Sequence, residues 1–153
     1  MKSKIAAFKV CRRSISAAVF AGQTLDYIDT QHLSNVPEAA ADAAERFISW
    51  IIENFHPEVA ALSVDEEDRD QQLRAQVLTK SAKEYLLYRG IPVWKTTDSE
   101  LLQSYAIPAL TNKKDLRQIG RSIWPHIEHE QVSALDAALV GLYVQTERLL
   151  SHN

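Results

Sequence analysis

Five groups of side chains in this 153-residue chain have types and spacings that could do chemistry. The run Asp65-Glu66-Glu67-Asp68 follows an apolar stretch, so carboxylates would emerge together where a strand ends. Ser133 and Asp136 are three residues apart, which on a helix puts them on one face. Lys9 interrupts an otherwise apolar, strand-like segment with an ammonium. Two basic clusters complete the set: Arg12 and Arg13 beside Lys9, and Lys113, Lys114, Arg117 and Arg121 later in the chain. Carboxylates are the ligands that hard divalent cations such as Mg²⁺ take, and converging Arg and Lys side chains hold a phosphate backbone. Each group also has a plainer meaning. The acidic run reads as a solvated turn capping the next helix, Asp136 as a first-turn acid at the positive end of a helix, and the basic clusters as solvated charge. His126 and His129, in a loop beside Pro125, make too weak a pattern for a metal site.

The elements that must position these groups can be read from periodicity. Residues 5–10 and 15–20 are rich in apolar and β-branched side chains, Gly22-Gln23 makes a turn, and residues 24–31 follow as a third strand. Ser34 or Asn35 with Pro37 and Glu38 predicts a helix start. Ala40, Ala44, Phe47, Ile48, Ile51 and Phe55 form its apolar stripe, and His56-Pro57 ends it. Residues 58–64 read as a short buried strand. A long polar helix over 69–88 has the stripe Leu73, Val77, Ala82, Tyr85 and Leu86. Residues 91–94 predict a fifth strand, 95–108 a short helix and loop, 115–123 a helix capped by Thr111 or Asn112, and 130–149 a last helix. Trp50, Trp94 and Trp124 are expected in the core.

Composition sets outer bounds. Hydrophobic residues are 46% and charged residues 24%, with no repeat, linker or low-complexity tract, which suits one globular domain over 1–153. No apolar run approaches the ~20 residues of a membrane span. The opening Met-Lys-Ser-Lys leads into a strand rather than a signal sequence. Cys11 is the single cysteine, so a reducing cytoplasm is the expected location and a buried, inert thiol the expected state. A net charge of -3 argues against a broad nucleic-acid surface and leaves room only for local basic patches.

The order β-β-β-α-β-α-β-α, with an extra helix before the last one, describes an α/β protein with a mixed five-stranded sheet and helices on both faces. It resembles the ribonuclease H-like fold, and in detail the RuvC-type Holliday junction resolvase branch. The first strand and turn, residues 4–14, stand where that family has an apolar-Asp-x-Gly opening. Leu62-Ser63-Val64-Asp65-Glu66-Glu67 is similar to its strand ending in glutamate. Residues 111–119, followed by Glu130-Gln-Val-Ser133-Ala-Leu-Asp136-Ala-Ala, resemble its lysine-bearing helix and its Asp-x-x-Asp-Ala helix start.

The resemblance implies two-metal phosphodiester cleavage, in which carboxylates converge on two cations roughly 4 Å apart. The matched positions here are Lys9, Asp65 with Glu66 as the register alternative, Ser133 and Asp136. Lys9 thus stands for the aspartate that bridges both metals, and Ser133 for a terminal aspartate. Asp65 and Asp136 would be the metal ligands if any metal binds. An ammonium repels a dication where an aspartate attracts one, so an ion pair of Lys9 with Asp65 or Asp136 is the expected replacement, without a cofactor. Three functions are open. One is a catalytically degenerate domain, in the sphere of DNA repair and recombination, holding branched or structured DNA through Arg12, Arg13, Lys113 and Lys114. Another is an active Mg²⁺-dependent nuclease using Asp65, Glu66 and Asp136. The last is a non-enzymatic structural or partner-binding homodimer.

Overall fold

The computed structural model describes residues 3–11, 13–64, 69–97, 100–101, 113–127 and 134–151; for 64, 69–73, 113–117 and 148–151 it describes the backbone alone. The elements run β1 (Lys4–Val10), β2 (Ser14–Ala21), β3 (Thr24–His32), α1 (Pro37–Phe55), β4 (Val59–Val64), α2 (Arg69–Tyr88), β5 (Val93–Thr97), α3 (Lys113–Ile123) and α4 (Leu135–Ser151). The strands form one sheet in the order β3-β2-β1-β4-β5. The hairpin-linked strands β1, β2 and β3 pair antiparallel, while β1–β4 and β4–β5 are parallel because a helix intervenes each time. The mixed sheet expected from the element order is therefore present.

β1 is central and buried on both faces, which explains its nearly unbroken apolar run. Ala6, Phe8 and Val10 face α1 and α2, packing with Ala44, Ile48, Ile51, Leu78 and Leu86. Ala7, with Ala18 and Ala61 beside it in register, faces α4 and packs with Ala137, Ala138 and Leu139. Small residues on both sides let α4 lie close to the sheet. Gly141 marks the tightest point: a Cβ there would stand 2.7 Å from the Phe20 ring and 3.2 Å from Ala7 Cβ. Gly120 of α3 does the same at the first residue of α4, where an added Cβ would meet Leu135 Cβ at 3.0 Å. Strand alternation and two glycine contacts together seat the start of α4 over β1.

Several local expectations need correction. Neither Ser34 nor Asn35 caps α1; the N-cap is Val36 without a side-chain cap bond, and Ser34 Oγ instead accepts the Val36 N–H at 3.1 Å. Pro37 has no N–H to satisfy, which lessens the need for a cap. In α2, Val77 points outward at 68% exposure and the buried stripe is Ala75, Leu78, Ala82 and Leu86. The polar sequence of that helix left its face ambiguous, and packing against α1 decided it. β5 starts at Val93 and runs on to Thr97. Trp124 is buried, but Trp50 and Trp94 are exposed at 46% and 37%, because Trp50 lies on the outer face of α1 and Trp94 on the edge strand β5. Cys11 is only half-buried, one residue past the end of β1. Thr111, Asn112 and most of residues 95–108 after β5 lie outside the described residues.

Candidate functional site

Lys9 is the second-last residue of β1 and points to the α4 face, since it alternates with Phe8 and Val10. Its register partners are Ser16 on β2 and Ser63 on β4. Ser16 in turn pairs with Thr30 on β3, and Ser63 with Thr96 on β5. Directly paired residues share a face, so Thr30, Ser16, Lys9, Ser63 and Thr96 form one polar row across all five strands, roughly 19 Å at the usual strand spacing. Lys9, Ser16, Ser63 and Thr96 are all buried. At one end the hydroxyls of Ser16 and Thr30 lie 2.9 Å apart in a hydrogen bond. At the other end Thr96 Oγ1 donates to Glu100 Oε2 at 3.4 Å. Glu100 also accepts from the Tyr143 hydroxyl, whose pKa is raised by burial first and then by the charges of Glu147 and Glu100.

Asp136 faces the middle of this row from the first turn of α4, beside the helix's positive end. Lys9 Nζ stands 3.7 Å from Asp136 Oδ2, with the two side chains 1% and 2% exposed. At that distance the contact is a charge pair rather than a hydrogen bond. A pair this close gains on the order of 4 kcal/mol at an effective dielectric near 20, set against a desolvation cost of several kcal/mol per ion. With two ions desolvated, the cost at least matches the gain, so net stability does not account for an ion pair here.

The other expected site residues are distributed unevenly. Arg13 is exposed in the turn between β1 and β2, at the sheet end where Lys9 lies. Lys113 and Lys114 open α3, the helix whose Gly120 meets the start of α4. Asp65, Glu66, Ser133 and Arg12 lie outside the described residues, as does His129, while His126 is exposed. Among the described residues no three His, Cys, Asp or Glu side chains cluster in a way that would hold a metal. Sequence reasoning missed Ser16, Ser63, Thr30 and Thr96. A signal for the inner two existed: in β2 after its first residue, and in β4, one serine interrupts an apolar run.

Comparison with known proteins rests on shape. Neither a protein-family model nor a curated protein matches the chain. Among solved structures, Thermus thermophilus RuvC matches with a TM-score of 0.72 over 94% of this chain and 96% of that one, at 14% identity. The fold is that of RuvC. A second structure, T. thermophilus RuvC in complex with Holliday junction substrate, gives a TM-score of 0.71, again at 14% identity, over 95% of this chain and 96% of that one. The yeast mitochondrial Holliday junction resolvase Ydc2 gives 0.65 at 15% identity, over 92% of this chain and 76% of that one. At these identities the likeness to RuvC is one of fold, and chemistry must be argued from this chain's own side chains. No helix among the described residues is long and apolar enough to cross a membrane.

Proposed function

We propose that this chain is a RuvC-fold domain that engages branched or structured DNA without cutting it. In this reading Lys9 takes the place of the first-strand aspartate that holds two metal ions in the resolvases it resembles. The buried Lys9–Asp136 pair at 3.7 Å carries it. A dication beside Asp136 would meet an ammonium at a few ångströms, a repulsion worth several kcal/mol in a partly buried cleft. Lys9 also supplies no oxygen, and Asp136 already has a cation beside it. This donor set does not fit a pair of Mg²⁺ ions.

Support for DNA as the partner comes from the shared fold, since one of the RuvC structures is a complex with Holliday junction substrate. Arg12 and Arg13, with Lys113 and Lys114, are the groups that would hold phosphates, and the net charge of -3 confines contact to such local clusters. The test is an electrophoretic shift with four-way junction DNA. Binding should fall steeply with salt, by a log-log slope of about -0.9 per phosphate contact. Alanine at Arg12 and Arg13, or at Lys113 and Lys114, should weaken binding and flatten that slope, and no strand should be cut in Mg²⁺ or Mn²⁺. Robust Mg²⁺-dependent cleavage that Asp136→Ala abolishes would instead assign the chain a rearranged carboxylate set, Asp65, Glu66 and Asp136. Absence of any shift at low salt would leave the structural or partner-binding role.

A homodimer is part of the same proposal. An apolar groove between α1 and α2, walled by Pro37, Ala41, Val77 and Leu78, supports it, with Val77 at its exposed rim. Light scattering should give a dimer mass that Val77→Glu converts to a monomer mass; a monomeric parent chain would refute this part.

A further inference from the structure

The face of the sheet opposite the polar row carries a second feature. β3 is the terminal strand, and its Tyr27, Asp29 and Gln31 alternate onto the α1 side, opposite Val19, Ala17 and Ile15. Between them and α1 lies an open groove of about 470 Å³, with Arg46 and Trp50 on its far wall. Tyr27, Trp50 and Phe55 form an aromatic cluster: the Tyr27 ring centre is 5.3 Å from that of Trp50 and 5.2 Å from that of Phe55. Trp50 is nonetheless 46% exposed, so much of its indole is open to solvent. Asp29 closes the groove with a carboxylate that accepts the Tyr27 hydroxyl at 3.1 Å. Burial and that neighbouring charge both push the Tyr27 pKa up, so the phenol stays a neutral donor to the Asp29 carboxylate. On the other side of the Arg46–Trp50 ridge a second groove runs to α2, lined by Glu45, Glu53 and Tyr85.

The charges around the ridge are unbalanced. Asp26 and Asp29 on β3, with Asp42, Glu45 and Glu53 on α1, outnumber Lys4, Arg46 and Arg89, of which Arg89 already lies 3.9 Å from Glu53. Arg46 is itself tied to Asp42 at 3.0 Å by an exposed pair of the kind that contributes little and yields readily. The cluster already receives one cation from its own chain, for Lys4 Nζ lies 5.9 Å from the centre of the Phe55 ring. The corresponding face of Trp50 has carboxylates around it, the combination that attracts an ammonium or guanidinium. Carboxylates on both grooves disfavour a phosphate backbone. Two grooves flanking one ridge ask for a chain presenting several cations rather than a single small ion.

We propose that the Tyr27–Trp50 groove is a docking surface for a lysine- and arginine-rich segment of a protein partner, on the face of the sheet away from Lys9. The cation of one partner residue would lie over Trp50 against Asp29, and a neighbouring one would meet Glu45. The inference stands apart from the DNA reading, since it uses none of the residues placed in that site.

The test uses the full chain and a fluorescent synthetic peptide alternating lysine or arginine with valine, with its glutamate counterpart as control. The basic peptide should bind, more weakly as salt rises, and the acidic one should not. Trp50→Ala and Asp29→Asn should each weaken binding by about tenfold, while Trp50→Phe keeps most of it. Both side chains are partly exposed, and circular dichroism would verify that the variants fold. Equal binding of the two peptides, absence of binding at low salt, or affinity unchanged in Trp50→Ala and Asp29→Asn would overturn the proposal. So would displacement of the peptide by junction DNA, which would make the groove a nucleic-acid surface. Loss of self-association in Trp50→Ala would assign it to a second copy of the chain and overturn the proposal equally.

Discussion

Replacing Lys9 with methionine should lower the thermal unfolding midpoint by roughly 10 °C, while Lys9→Met combined with Asp136→Leu should recover most of that loss. The single change leaves the Asp136 carboxylate buried beside a thioether, and removing one partner of a buried pair costs about 3–5 kcal/mol. In a domain of this size each kcal/mol shifts the midpoint by about 2–4 °C. The double change removes both charges, and apolar replacement of a buried pair is often neutral or stabilising by about 1–4 kcal/mol. Scanning calorimetry of the four proteins in the cycle measures the coupling directly. A single-variant shift within experimental error would mean that Asp136 does not depend on Lys9. The contrast also separates two reasons for keeping the pair: a recovered double variant that no longer shifts junction DNA would place the value of these charges in binding rather than in stability.

Lys9→Asp should reverse the electrostatics of the site and make stability depend on divalent cations. Without metal the variant sets a carboxylate next to Asp136 in a space shielded from water, and two such groups resist ionising together. It should therefore unfold well below the parent chain in chelator. Added Mg²⁺ or Mn²⁺ should raise its midpoint, because a ligand that binds only the folded state adds about 2.7 kcal/mol at a hundred times its dissociation constant. The parent chain should show no such dependence, having Lys9 3.7 Å from Asp136. The measurement is a thermal shift against metal concentration for both proteins. A variant indifferent to metal would remove the ground for seeing Lys9 as the occupant of a metal seat. A parent chain stabilised as strongly as the variant would do the same from the other side.

Much of the scaffold is legible locally. The runs at 5–10 and 15–20, the Gly22 turn, the α1 stripe and the His56-Pro57 stop all correspond to elements found in the fold, because each depends on neighbours within one strand or one helical turn. Gly22 and His56 both adopt positive φ, which the short turn and the helix end require. Legibility fails where the deciding contact is distant in sequence. Val77 and Leu78 are both apolar and both lie on α2, and only the docking of α2 against α1 turns one outward. Trp50 reads as core by type alone, yet the outer surface of α1 is where its position on the helix puts it. Of the site, Lys9 stands out by type, while Asp136 is one acid among many until a partner is assigned.

The amino-acid order by itself determined the succession of elements, the two small-residue faces that bring α4 close to the sheet, and the presence of the Lys9 ammonium inside the apolar run of the most buried strand. Those are properties of composition and spacing along a few residues. The tertiary structure alone decided what that ammonium meets. Strand register, a pairing between segments tens of residues apart, aligned Lys9 with Ser16 and Ser63 and carried the row on to Thr30 and Thr96. Helix docking, governed by Gly120 and Gly141, then lowered Asp136 onto the centre of that row. A one-residue slip of β1 would turn Lys9 to the opposite face, because side chains alternate with a period of two. The charge is written in the strand, and its partner is chosen by packing.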